Sequence, residues 1–160
     1  MRWLPSRPCP AASRRRRKRM TDFLHRFAEG FAALNKENLD RIAELYSDDV
    51  SFSDPMHDIH GLADMRRYFA ELYANVSDLR FDFHAFDEVR SGEGYLLWTM
   101  HYSHPRLANG RTIHVQGCSH LKWRDDKVYR HRDYFDAGAL LYEHLPVMGR
   151  VINWLKKRLA

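Results

Sequence analysis

The hydrophobic period of this chain changes from helical to alternating near Asn75, and that change limits the folds open to it. Before Asn75 the apolar residues recur at helical spacing; after it they alternate, as on strands with one buried face. Thr21 or Asp22 is placed to cap a helix whose Phe23, Phe27, Phe31 and Leu34 are spaced by four, four and three. Asn35 to Asn38 interrupts it. Leu39, Ile42, Ala43, Leu45 and Tyr46 mark a second short helix, and Val50 to Ser53 a brief strand closed by Asp54-Pro55. Gly61 precedes a third helix with Met65, Tyr68, Phe69 and Leu72 on one side.

Beyond Asn75, Leu79, Phe81, Phe83 and Ala85 alternate with Arg80, Asp82, His84 and Phe86. A more uniformly apolar run covers Glu93 to Ser103 after a Ser91-Gly92 turn. Asn109-Gly110 then turns the chain into Arg111 to Trp123. That strand sets Ile113, Val115, Gly117, Leu121 and Trp123 against His114, Gln116, His120 and Lys122. Asp125-Asp126 leads into Lys127 to Phe135, and helical spacing returns at about 137–144 and 147–158. Helices followed by a meander of long strands describe an α+β domain.

The 160 residues suit one such domain. The formal charge of +5 suggests a nucleic-acid binder until it is located along the chain. Eight basic residues and no acidic one precede Met20, so the body holds 18 basic and 21 acidic residues, a net −3. That argues against a broad phosphate-binding surface on the body. Residues 1–19 read as a disordered basic tail with three possible origins. The readings are a start placed upstream of a true start at Met20, a basic arm for nucleic acid or nuclear import, and an Arg-rich transit peptide. Cys9 and Cys118 are the only cysteines, which excludes a disulfide framework and fits a reducing, cytoplasmic compartment. No transmembrane segment is expected. The basic amphipathic stretch Val147 to Leu159 reads as a helix packing its apolar side on its own domain, with contact to an anionic membrane surface as the alternative.

The run Leu45-Tyr46-Ser47-Asp48-Asp49-Val50-Ser51-Phe52-Ser53-Asp54-Pro55, followed by His60-Gly61 and a helix, resembles the opening of the nuclear-transport-factor-2-like superfamily. The best matches are SnoaL-like proteins and ketosteroid isomerase. A long strand ending in Leu121-Lys122-Trp123, an acidic turn, and a strand entering His131-Arg132-Asp133-Tyr134-Phe135-Asp136 extend the likeness over residues 22 to about 136. The resemblance implies a cone: a curved antiparallel sheet wrapped around three N-terminal helices, with an apolar small-molecule pocket open at one end. It also implies a homodimer through the outer sheet face.

By this resemblance Asp54 aligns with the general base of ketosteroid isomerase, although Asp before Pro after a strand is also an ordinary turn or cap residue. The isomerase's two oxyanion donors fall on Gly30 and Ser119, and each lost donor costs about 3–4 kcal/mol. Ketosteroid isomerase activity itself is therefore not expected. SnoaL-like cyclases carry an acid/base aspartate on a late strand, which points to Asp133 with His131 as its partner. Two residues apart on a strand, they share a face; the same pair could be a buried structural one. Tyr46, Phe27, Phe69, Ser119 and Phe135 are the expected pocket-lining residues.

Asp54, His57, Asp58 and His60, or His101 and His104, invite a metal, but the loop lacks a helical i, i+4 pair and none is expected. Cys118 falls on the outward face with His120, away from any pocket. The expected activity is cofactor-free proton transfer of isomerase, cyclase or dehydratase type on a carbonyl compound. The alternative is a non-catalytic ligand-binding or dimeric interaction module.

Overall fold

A computed structural model of the chain describes residues 12–140 and, beyond them, Trp154 and Arg158. Helix α1 (Ala12–Ala32) leads through a 3-10 turn at Leu39–Arg41 to α2 (Ile42–Leu45). Strands β1 (Tyr46–Ser53) and β2 (Asp58–His60) precede α3 (Leu62–Asn75). Four long strands follow: β3 (Ser77–Arg90), β4 (Glu93–Ser103), β5 (Ile113–Arg124) and β6 (Lys127–Phe135), then α4 (Ala137–Leu140). The result is an α+β domain in which one curved, unclosed sheet, ordered β2-β1-β6-β5-β4-β3, wraps three helices.

Every pairing is antiparallel except β1 with β6, which run parallel with Ser51 beside Arg130 and Phe52 beside His131. Register shifts interrupt the β3–β4 pair three times and the β5–β6 pair once. Each inserts an unpaired residue that bends the strand, and together they let the sheet curl. Asp125 and Asp126 both take positive φ, which closes the β5–β6 hairpin tightly.

Phe23, Leu24, Phe27, Ala28 and Phe31 form the buried stripe of α1, and with Leu34 just past its end they meet Leu96, Trp98 and Leu121 from the sheet. Phe23 stacks on Trp123 with ring centres 4.5 Å apart, and Phe31 meets Phe69, Phe81 and Phe83 at 5.2 to 6.4 Å. Burying each such ring contributes roughly 1.5–3 kcal/mol. Tyr73 ties α3 to the end of α1 by donating its hydroxyl to the Leu34 carbonyl at 2.9 Å.

Three expectations need correction. Helix α1 starts at Ala12, so the Thr21–Asp22 cap is interior and residues 12–19 of the expected disordered tail are helical. Phe86, grouped by alternation with the polar face, instead stacks on His25 of α1 at 3.8 Å. The extra residue between Phe83 and Ala85 in the β3–β4 register reverses the alternation there. Strand β2, three residues with only Ile59 apolar, carries no periodic signal at all. Residues 1–11 and the expected helix from about 147 lie outside the described residues, apart from Trp154 and Arg158; Arg158 sits over the Trp154 ring at 5.1 Å. Among the described residues no helix is long and apolar enough to cross a membrane.

Candidate functional site

Strand β6 sends His131, Asp133 and Phe135 inward, because alternate residues share a face. Its pairing sets Asp133 directly beside Ser119 of β5, and Ser119 in turn lies beside Leu96 of β4. Trp98, two residues further along β4, reaches the same point by lying across Gly117. A Cβ on that glycine would fall 2.2 Å from the Trp98 ring, so only glycine admits the indole.

These residues make a continuous buried hydrogen-bond cluster. Trp98 Nε1 donates to Ser119 Oγ at 2.8 Å, and Ser119 donates to Asp133 Oδ1 at 2.5 Å. His131 Nε2 lies 2.8 Å from the same Oδ1, and His131 Nδ1 lies 2.8 Å from the Tyr46 hydroxyl. One arrangement of protons satisfies every one of these contacts. Ser119 gives its one proton to Asp133, so Nε2 carries a proton for Oδ1, and Nδ1 accepts from Tyr46. Oδ1 then has two donors, and Oδ2 is the Asp133 oxygen left for a ligand. Burial, reinforced by the negative charge of Asp133, holds Tyr46 well above the usual tyrosine range, so it remains a donor.

Asp133 opens onto a cavity of about 340 Å³. Phe31, Phe52, Phe69, Phe81, Met100 and Phe135 supply apolar wall, and Asp54, His57 and Tyr68 join Asp133 as polar lining. An apolar cavity with a few convergent polar groups is the ordinary form of a small-molecule site. Phe69 and Phe135 are thus on the wall. Tyr46, Phe27, Ser119 and His131 are not. Tyr46 is fully buried, while Phe27, Ser119 and His131 border a separate void of about 10 Å³. Phe31, Phe81, Trp98 and Asp133 border both spaces and form the partition between them.

Asp54 occupies a turn. Its Oδ1 accepts from the backbone N–H groups of Met56 and His57, each at 2.7 Å, and its own N–H donates to the His57 carbonyl at 3.0 Å. The His57 ring closes the loop, with Nδ1 3.1 Å from both carboxylate oxygens. Tyr68 donates to Asp54 Oδ2 across 3.4 Å. The Asp54 side chain is only 3% exposed whereas that of His57 is 43% exposed. Burial first, then Asp54 and Asp133, raises Tyr68 far above its usual range, so it too keeps its proton. Tyr68 and His57 are the residues that sequence reasoning missed: the first had been grouped with a helix's apolar side, the second with candidate metal ligands.

The remaining expected positions lie elsewhere. Gly30 faces Leu45 rather than the cavity. Asp58 and His60 approach each other at 3.6 Å in the open, and His104 accepts from the Arg106 N–H. His101 and His114 face each other on the outer sheet, Nδ1 to Nδ1 at 2.6 Å. No group of three or more metal-ligating side chains converges among the described residues. Cys118 is half-buried, and burial raises its thiol further from the reactive form.

A curled sheet around three helices, enclosing an acid-lined apolar cavity, defines a cone-type α+β fold. The chain belongs to the SnoaL-like domain family, whose model matches residues 24–131. Its fold is shared with an epoxide hydrolase of the LEH-like type from M. tuberculosis, at 18% identity and TM-score 0.64, covering 84% of this chain and 97% of that one. A SnoaL-like polyketide cyclase from Jannaschia sp. CCS1, itself so named by inference, is similar at 14% identity and TM-score 0.64, over 78% and 90%. A nuclear-transport-factor-2-like protein of unknown function from Burkholderia pseudomallei is similar at 15% identity and TM-score 0.63, over 75% and 92%. No curated protein matches the sequence.

Proposed function

We propose that the cavity binds a small apolar carbonyl compound and moves a proton on it without a cofactor, as an isomerase, cyclase or dehydratase does. The observation that carries this is the state of Asp133: one oxygen is held by Ser119 and His131, and its carboxyl lines a mainly apolar cavity. A carboxylate fixed in this way and partly shielded from water is positioned to take a proton from carbon next to a carbonyl. His131 and Tyr46 position it from behind. Asp54 and Tyr68 line the same cavity as a hydrogen-bonded pair, the tyrosine keeping its proton. The fold similarity to an epoxide hydrolase and to a polyketide cyclase supports small-molecule chemistry on this scaffold.

The test is exchange of the methyl protons of acetophenone in D2O, followed by mass spectrometry. Wild-type protein should accelerate exchange, and Asp133→Asn should remove roughly 10²–10⁴-fold of the acceleration. Binding without exchange would instead favour a passive ligand carrier. The outer sheet face offers a place for a second copy, since Leu97 and Tyr134 are 46% and 49% exposed and lie in one cross-strand row with Cys118. A homodimer through that face belongs to the same proposal.

A further inference from the structure

We propose that Asp54 works through His57, and that His57 Nε2 is a second acid/base atom of the cavity. This rests on the reading of the cavity as a proton-transfer site. Asp54 is almost completely enclosed, and its two oxygens are already engaged by two backbone N–H groups, the His57 ring and the Tyr68 hydroxyl. A carboxylate so committed is poorly placed to meet a substrate. His57 is different. Its ring lines the cavity, and its exposed side also meets solvent. With Nδ1 turned to Asp54, the proton resides on Nδ1 and the lone pair on Nε2, the one ring nitrogen left to a bound molecule. Tyr68 holds the ring in place, with centres 5.0 Å apart.

The arrangement is a carboxylate that fixes a histidine tautomer, built here on a four-residue turn. The positioning carboxylate and the turn are the same residue, so the backbone that shapes the loop also sets the ring. Asp133 is then the inner proton-transfer group and His57 the outer one, able to exchange its proton directly with water. Asp54 is a positioning residue.

The inference separates Asp54→Asn from other variants. Asparagine keeps an oxygen for the Met56 and His57 N–H groups, so the turn survives. Its amide then presents N–H toward His57 Nδ1, which moves the lone pair to Nδ1 and the proton to Nε2. The probe is 2-bromoacetophenone: the Nε2 lone pair forms the bond to the CH2 carbon, bromide leaves with the C–Br pair, and peptide mass spectrometry locates the adduct. Wild type should be labelled at His57 with a rate that saturates in reagent, and acetophenone should protect it. Asp54→Asn should slow this labelling at least ~10-fold, by the logic of a wrong tautomer, with an unchanged thermal midpoint. His57→Gln should abolish it, and Asp133→Asn should leave it intact. Labelling at His57 that is equal in wild type and Asp54→Asn, or an ester on Asp54 in place of the His57 adduct, overturns the inference while leaving the cavity reading in place. Modification of surface histidines such as His60 alone, without saturation or protection, overturns both.

Discussion

The orientation of His131 depends on one buried hydroxyl. Tyr46 is the donor to Nδ1, and without it that nitrogen has no hydrogen-bond donor in an apolar surround of Phe27, Phe31 and Phe52 rings. Tyr46→Phe should therefore destabilise the fold by about 1–3 kcal/mol, the penalty for a buried acceptor left unpaired. Urea unfolding midpoints at neutral pH would measure it. At this scale the sequence was partly legible. His131 and Asp133 sit at i and i+2 on a periodic strand, and Asp54 precedes a proline, so their local geometry is written in neighbouring residues. The identity of their partners is not, because Ser119 and Trp98 reach Asp133 only through cross-strand register. Nothing local marks Tyr68 as different from the apolar residues that share its helix face, and nothing near His57 shows that its ring turns back to Asp54.

Among the elements, Glu93 at the start of β4 binds three strands together. Its carboxylate meets Arg90 of β3 at 2.5 Å, and His120 and Lys122 of β5 at 2.7 and 3.5 Å. The hydrogen bonds from Arg90 and then His120 pull it down to about 2 from an ordinary 4.5. A depressed carboxylate contributes stability above its ordinary value, and that contribution is lost as pH falls through 4.5 toward 2. Thermal midpoints of wild type should fall across this window more steeply than those of Glu93→Gln, and the two profiles should converge at its acid end. The long strands β4 and β6 were legible to the residue, the first as an unbroken apolar run and both because turn residues bound them. The bulge in β3 and the short β2 were not: the first breaks the period it would be recognised by, and the second is held by pairing with β1 rather than by its own side chains.

For the whole molecule, the change of period near Asn75 anticipates the layering of helices inside a sheet, but strand order is a matter of long-range pairing. The parallel β1–β6 contact lay beyond any local pattern. Two copies meeting across the outer face would bury Leu97 and Tyr134, and a charge placed there would oppose association. Leu97→Glu should sediment as a monomer where wild type sediments as a dimer. The same β1–β6 contact has a kinetic meaning. Asp54 follows one of these strands and Asp133 lies on the other, with almost eighty residues between them. Contacts so distant in sequence must overcome the closure entropy of the intervening chain. Helices and β3–β5 hairpins can assemble from neighbours as they emerge during synthesis, but both carboxylates reach a common cavity only once β6 has docked beside β1. The cavity therefore stays incomplete for most of the chain's own birth, and gains its full lining in the step that completes its sheet.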